Sequence, residues 1–538
     1  MKSNPKKMKK QILQFTLTCF ISLCLGVSSI IFAQTFPAGY VHEKIAPIEL
    51  PTGISFTPDG RPVVLNSVGG KGTATIVNAD GSTTPFFTVL KTYTNKEKGL
   101  LGLAFDPDFV SNGYVYFYYT ADLSPSGNQS RTCQNTIARI TAKNYIADMS
   151  TMVVLLKLFE NPTFIVQPNH DGGTLAFGPD GKLYVASGDM DLWCGQLCIS
   201  GPNATGCNCG AVWKAPTYAQ DTSGYLGKIL RINKDGSAPT DNPFYKAGAT
   251  DARNYIFTLG LRNPYTMHFK KGTSQLWIND VGSSNANKRE EINMIDVSNP
   301  SSTKDKNLGY NNGNLNPIDF TPPSTEGFFD KNNSNFATYT QPVQVYLPSE
   351  GCAISGGVFY EPSKPSFEAK YVGKYFFMDF CQGWIKYMNA DGTGVTNFAT
   401  GLAGGGNGFG SVAIEEGPDG HMYHLVRSVS AGVSGLYRIK GPNAVGVEAE
   451  IVSNKYAFSV HPNPSNGGKM NVHYNAKVAE IATIEIFDQM GKLNKTFQLS
   501  GNEGFNDENL DISSLNRGVY VVKFSTPNAK AAKKLVVE

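Results

Sequence analysis

The sequence predicts an all-β chain: a six-bladed β-propeller followed by a small Ig-like β-sandwich. Two observations predict the propeller. A phrase made of an apolar strand, a turn and a second apolar strand recurs six times, and a further short strand follows each copy in step. A repeat of this length cannot bury its apolar face alone. Radial stacking of four-stranded blades buries it and leaves only short protected edges. A change of texture near residue 458 predicts the sandwich.

The copies run in order. Ile54-Ser55-Phe56-Thr57-Pro58-Asp59-Gly60 opens the first blade, and residues 75–77 form its later strand. Leu103-Ala104-Phe105-Asp106-Pro107-Asp108 and residues 137–140 mark the second. Leu175-Ala176-Phe177-Gly178-Pro179-Asp180-Gly181 and residues 229–232 mark the third. Residues 267–278 with 291–295, and 358–378 with 384–387, are degenerate fourth and fifth copies. Residues 412–425, turning at Pro418-Asp419-Gly420, and residues 436–439 complete the sixth. The distance from phrase to strand is 22–26 residues in four blades, but 34 in the second and 54 in the third. Blades two and three therefore carry insertions, and long loops on a rigid scaffold are where function concentrates. The long connection from Asn299 to Tyr346 is expected to lie over one face.

A chain of 538 residues is expected to hold two or more domains. Its formal charge of +3 includes the N-terminal lysines and gives no argument for nucleic acid. Lys2, Lys6, Lys7, Lys9 and Lys10 precede an apolar run over 12–32, with a cleavage site after Ala33. Residues 1–33 thus have the form of a signal peptide, an uncleaved membrane anchor being the alternative. Residues 34–440 hold the propeller, 441–457 a linker and 458–538 the sandwich. Beyond the signal, seven cysteines remain, and an exported chain meets an oxidising space in which pairing is expected. Cys194, Cys198, Cys207 and Cys209 fall in the third-blade insertion. They could bind zinc, but two disulfides suit an exported loop better, either among themselves or with Cys133 joining.

The C-terminal region opens on His461-Pro462-Asn463-Pro464-Ser465. It continues through Leu515-Asn516-Arg517-Gly518-Val519-Tyr520 and ends on Lys534-Leu535-Val536-Val537. It resembles the C-terminal sorting domain of the type IX secretion system. The resemblance implies that the chain is secreted or held at the cell surface and that the type IX machinery is a partner, the membrane being met only in transit. An ordinary adhesive or binding sandwich is the alternative.

Asn169-His170-Asp171-Gly172-Gly173 carries the strongest chemical signal. A histidine beside a carboxylate, on a loop entering an inner strand, can act as a general base, and two glycines let the backbone approach closely. A loop histidine satisfying a local hydrogen bond is the plain alternative. This motif is accompanied by Glu97-Lys98-Gly99-Leu100-Leu101-Gly102-Leu103, Leu226-Gly227-Lys228-Ile229-Leu230-Arg231, Gly260-Leu261-Arg262-Asn263-Pro264 and Asp280-Val281-Gly282. Together they resemble the pyrroloquinoline-quinone-dependent glucose/sorbosone dehydrogenase family, with the flavour of its Hedgehog-interacting-protein-like branch. The resemblance implies that His170, with Asp171, takes the proton of the sugar anomeric hydroxyl while hydride passes to the quinone. It implies that Arg262 and Asn263 bind the cofactor, and that calcium is held near Gly282 and Ser283. An anionic quinone needs a cation and a guanidinium, and calcium prefers oxygen ligands. The sequence departs from the family at two places. Cys381 stands where the fifth blade would carry a lysine, and residues 404–410 before the sixth repeat contain no basic residue.

Cys352 and Cys381 each lie at the end of a strand in one blade. Adjacent strands could bring their Cα atoms within the ~4.4–6.8 Å that a disulfide needs. The functional expectation is therefore an exported oxidoreductase acting on a sugar or related alcohol. The first alternative is a carbohydrate- or protein-binding propeller that has lost the cofactor. The second is a hydrolase using a channel calcium, for which Asp171, Asp189 and Asp280 could supply carboxylates.

Overall fold

The computed structural model describes residues 34–124, 133–158, 169–190, 215–282, 289–310, 340–402, 410–430, 432–443, 458–466, 468–476, 478–488, 492–526 and 529–538. The signal segment 1–33, Ser283 and the four insertion cysteines lie outside these residues.

Six four-stranded antiparallel sheets follow one another along the chain. Their inner strands are Pro51–Phe56, Leu100–Phe105, Gly172–Phe177, Pro264–Phe269, Ile354–Phe359 and Gly410–Glu416. Each inner strand neighbours the next, and the sixth neighbours the first, so the sheets close into a ring around a channel. Every recurrent phrase in the sequence forms the inner and second strands of one blade, and every later strand is the third of its blade.

The core is cut into six slices, each between two blades. Val63, Leu65 and Phe87 of blade one meet Leu103 and Phe117 of blade two. Tyr116 and Ile137 of blade two meet Leu183 and Leu230 of blade three, and this arrangement repeats around the ring. The last slice packs Leu425 and Leu436 of blade six against Val64 and Val77 of blade one. Side chains alternate across a strand, so one strand serves the slices on both sides.

The ring is closed by a strand from its other end. Val41–Ala46 pairs antiparallel with Gly435–Lys440 as the outer strand of blade six. His42 from this strand meets His424 of the blade, Nε2 to Nδ1 at 3.1 Å, and His424 Nε2 reaches Ser411 Oγ at 2.9 Å. The described start of the long connection, up to Tyr310, runs beside the outer strand of blade three. Leu259 N donates to Lys306 O, and Leu308 N donates to Leu259 O. That segment extends a blade edge, and residues 311–339 of the connection lie outside the described residues.

The C-terminal residues form two sheets, one of three strands and one of four. Val472 and Tyr474 of the first and Ile484, Ile486, Val522 and Phe524 of the second share a core. In Glu480–Asp488 the buried residues alternate with partly exposed ones, the period of a strand with one face inward.

Candidate functional site

The site is assembled where inner strands begin and second strands end. His170 precedes the inner strand of blade three, Gly172–Phe177, and has a left-handed φ of 60°. That conformation is uncommon for a residue with a Cβ and marks a position the surroundings hold in place. Gly188 lies across from it, where a Cβ would come 2.0 Å from the His170 carbonyl oxygen. The neighbouring Gly173 leaves room for blade two, since a Cβ at Gly102 would approach its carbonyl oxygen to 2.1 Å.

His170 is 6% exposed. Its Nδ1 lies 2.7 Å from Oδ1 of the fully buried Asp189, just beyond the second strand of blade three. Its Nε2 lies 2.8 Å from Nη2 of Arg262. A guanidinium can only donate, so Nε2 accepts, and the ring proton sits on Nδ1 and is given to Asp189. The imidazole is therefore fixed in the tautomer that offers a lone pair from Nε2.

Arg262 enters from the blade three–four connection. Its Nη1 donates to the carbonyls of Val281 at 2.8 Å and Gly282 at 2.5 Å. The Asp280 carboxylate accepts from the backbone N–H of Arg262 at 2.9 Å and of Asn263 at 2.7 Å. Asn263 Oδ1 accepts from Gly172 N at 3.2 Å, and its Nδ2 donates to Glu97 Oε2 at 3.3 Å. The same Glu97 oxygen accepts from His170 N at 2.8 Å. The structure thus brings His170, Arg262, Asn263 and Gly282 into one network.

Asp171 stands apart from the imidazole. Its Oδ1 pairs with Lys98 Nζ at 2.6 Å and accepts from Asn135 Nδ2 at 3.0 Å. The carboxylate on His170 is Asp189, whereas Asp171 belongs to a buried ion pair. A cavity of about 60 Å³ lies beside this network, and Glu97, Asp171, Thr174, Tyr265, His268 and Glu415 line it.

Cys352 and Cys381 are disulfide-bonded with a Cα–Cα distance of 5.7 Å. Asp379, fully buried between them, gathers the backbone N–H groups of Cys352, Ala353, Cys381 and Gln382, each at 2.9 Å. Among the described residues, Cys352, Asp379 and Cys381 are the only close group of metal-ligating types. Their sulfurs are spent in the disulfide, so the group is structural. Buried Glu290 links this hairpin to the site, its Oε2 accepting from Ile354 N at 2.9 Å and Gly282 N at 3.4 Å. Cys133 is a free buried thiol, and burial pushes its pKa up to about 12, which makes it a poor nucleophile.

Arg427 was not legible as a site residue. It ends the second strand of blade six opposite Gly410, and its Nη1 donates to the carbonyls of Leu50 at 2.9 Å and Pro51 at 3.3 Å. Burial pushes the Tyr265 hydroxyl up to about 12, and the Arg427 charge acts against that shift. A cation from blade six therefore reaches the channel neighbourhood by a route other than residues 404–410. Its only sequence signal was a basic residue at a strand end. Lys228, in the Leu-Gly-Lys motif, is fully buried and donates to the carbonyls of Tyr218, Ala219 and Leu226 at 2.8, 2.8 and 2.6 Å. It fastens the helix Ala215–Gln220 to blade three behind the site.

Residues 48–434 match the glucose/sorbosone dehydrogenase family, and residues 459–538 match the secretion system C-terminal sorting domain. The quinoprotein glucose dehydrogenase B of Acinetobacter calcoaceticus is 29% identical over 270 residues, 49% of this chain and 48% of that protein. The chain thus spans about half of that relative's length. The aldose sugar dehydrogenase YliI of Escherichia coli is 26% identical over 410 residues, 75% of this chain and 93% of that protein. Human Hedgehog-interacting protein is 26% identical over 246 residues, 42% of this chain and 31% of its own. The PQQ-bound form of an aldose sugar dehydrogenase from Streptomyces coelicolor has a TM-score of 0.52 at 20% identity. It covers 76% of this chain and 99% of its own, a likeness of fold.

Proposed function

We propose that this chain, which belongs to the glucose/sorbosone dehydrogenase family, is an exported oxidoreductase that oxidises a sugar or related alcohol with pyrroloquinoline quinone as electron acceptor. The observation that carries this reading is the orientation of His170. Its Nε2 carries the lone pair, which accepts from Arg262 and passes to a substrate hydroxyl when the guanidinium yields it, and Asp189 fixes the other ring nitrogen. Such a base takes the hydroxyl proton of the substrate. The carbon–hydrogen bond then breaks with its electron pair, and a carbonyl forms. When bound, the quinone supplies the two-electron acceptor.

The chain's own residues fit an anionic quinone in part. Arg262 offers a guanidinium held by two carbonyls, Asn263 an amide beside it, and Arg427 a further positive charge. The lysine expected in blade five is replaced by a disulfide. Calcium fits less well. The Gly282 carbonyl accepts from Arg262, and no cluster of three or more His, Cys, Asp or Glu ligand atoms gathers around it among the described residues.

The disulfide in place of a cation favours a second reading, a carbohydrate-binding propeller without turnover. The sorting domain indicates secretion or attachment at the cell surface. No helix among the described residues is long and apolar enough to cross a membrane. Deleting residues 458–538 is expected to leave a folded propeller that stays within the cell envelope. The test of the catalytic reading is reduction of an artificial electron acceptor by a panel of aldoses, with the quinone added. Turnover with any aldose supports it. Sugar binding without turnover supports the second reading.

A further inference from the structure

The far end of the channel holds a second set of polar groups. Corresponding positions of the six inner strands form rings around the axis, because the blades repeat in register. One ring, the residue before the last of each inner strand, comprises Ser55, Ala104, Ala176, His268, Val358 and Glu415. Glu415 pairs with Tyr423 just as Ser55 pairs with Val63 and His268 with Trp277, so the positions are equivalent. Two members of this ring are small and three are polar.

A cavity of about 350 Å³ opens at this level. The C-terminal halves of the inner strands of blades one to four line it, together with Glu415. The His170 network lies towards the N-terminal ends of the same strands, and Thr174, His268 and Glu415 line both this cavity and the smaller one beside that network. His268 of blade four and Glu415 of blade six meet across blade five, Nε2 to Oε1 at 3.1 Å, and their side chains are 22% and 20% exposed. Among the described residues, His268 Nδ1, Glu415 Oε2 and the Ser55 hydroxyl have no hydrogen-bond partner. Burial alone would lower the His268 pKa. Glu415 outweighs it and holds the ring above the ordinary histidine value. Phe56, Phe105, Phe177 and Phe269, the last residues of their inner strands, complete the wall.

We infer that this cavity is a binding site for a small neutral polyol of monosaccharide size, adjoining the site around His170 across His268 and Glu415. Adjacent hydroxyls both donate and accept, which matches the unpartnered ring nitrogen of His268, an acceptor at Glu415 and the Ser55 hydroxyl on one ring. The apolar faces of a sugar ring suit a wall of aromatic side chains. The two charges cancel, so an ionic ligand would meet a like charge at one end. The volume lies at the small end of ligand pockets, which span roughly 300–1,000 Å³.

The test is a titration of the purified full chain with methyl α-glucoside and with glycerol, followed by ligand-observed NMR. The methyl glycoside has no anomeric hydroxyl to oxidise, so the result does not depend on turnover. Saturable binding is expected. Glu415→Gln should weaken it at least about tenfold, or ~1.4 kcal/mol. Ala176→Leu, which fills the cavity without touching a charge, should weaken it similarly and decides the matter if Glu415→Gln does not fold. Arg262→Ala should leave it unchanged. The inference is overturned by no saturable binding, by binding lost in Arg262→Ala but kept in Ala176→Leu, or by glycine binding where the polyols do not.

Discussion

Replacing Lys98 by methionine should be among the most damaging single changes near the site. Its Nζ lies 2.6 Å from Asp171 Oδ1, and the two side chains are 0% and 1% exposed. Methionine keeps the length and apolar stem but leaves the Asp171 carboxylate with only the neutral Asn135 amide at 3.0 Å on that oxygen. Its other oxygen, Oδ2, is buried without a partner among the described residues. An orphaned buried charge costs about 3–5 kcal/mol, against less than ~1 kcal/mol for an exposed pair. The assay is chemical unfolding of wild type, Lys98→Met, Asp171→Asn and the double variant. The double variant should recover at least half the loss, because no unpaired charge remains. The sign with pH follows. Burial lowers the Lys98 pKa, but Asp171 and its neighbours raise it further, so the folded value lies above 10.5. The stabilisation is complete below 10.5 and is lost as pH rises through the folded value. Lys98→Met should flatten that alkaline limb. A cost below ~1 kcal/mol would refute the buried clamp and return Asp171 to the list of acid–base groups.

The remaining expectations can be checked in parallel. If the chain turns over a sugar, His170→Gln and Asp189→Asn should each lower kcat by about 10²–10⁴-fold with the melting temperature kept, because one removes the base and the other its tautomer lock. The ring-closing histidines should give an acid limb. Burial lowers His42 to about 4 and lowers His424 as well, with the nearby His42 adding to the His424 shift. Unfolded histidines bind protons near 6.5, so stability is complete above 6.5 and falls as pH drops from there towards about 4. Unfolding midpoints of the His42→Gln/His424→Gln variant should lose that slope. Cys352→Ser/Cys381→Ser should destabilise the propeller by ~3 kcal/mol. Reductant should reproduce the effect in wild type and add nothing to the variant.

The repeat was legible because each phrase supplies strands buried on both sides, which forces continuous apolar runs such as Leu183–Ser187. The outer strands were not. Thr83–Leu90 begins exposed and polar, and the closing strand Val41–Ala46 has its partner at the far end of the propeller sequence. His170 was legible as a histidine beside a carboxylate on a loop entering an inner strand, and Arg262, Asn263 and Gly282 only through the family motifs that carry them. The pairing of His170 with Asp171 was the natural choice in sequence, but the Asp171 carboxylate is taken by Lys98 and Asn135. The partner that the fold supplies is Asp189, across the hairpin of the same blade. Cys352 and Cys381 were legible as a pair because both bound one hairpin, and Ile354 opposite Asp379 in the register brings them together. Nothing local distinguished Arg427, whose part depends on Leu50, Pro51 and Tyr265 from other blades.

Titration of the purified chain with pyrroloquinoline quinone, read by its absorption spectrum, bears on the catalytic reading more closely than any activity screen. The expected result is saturation at one quinone per chain, abolished by Arg262→Ala and retained by His170→Gln. A folded wild-type protein that leaves the spectrum unchanged at any quinone concentration, with or without calcium, would contradict it and leave the propeller as a binding module.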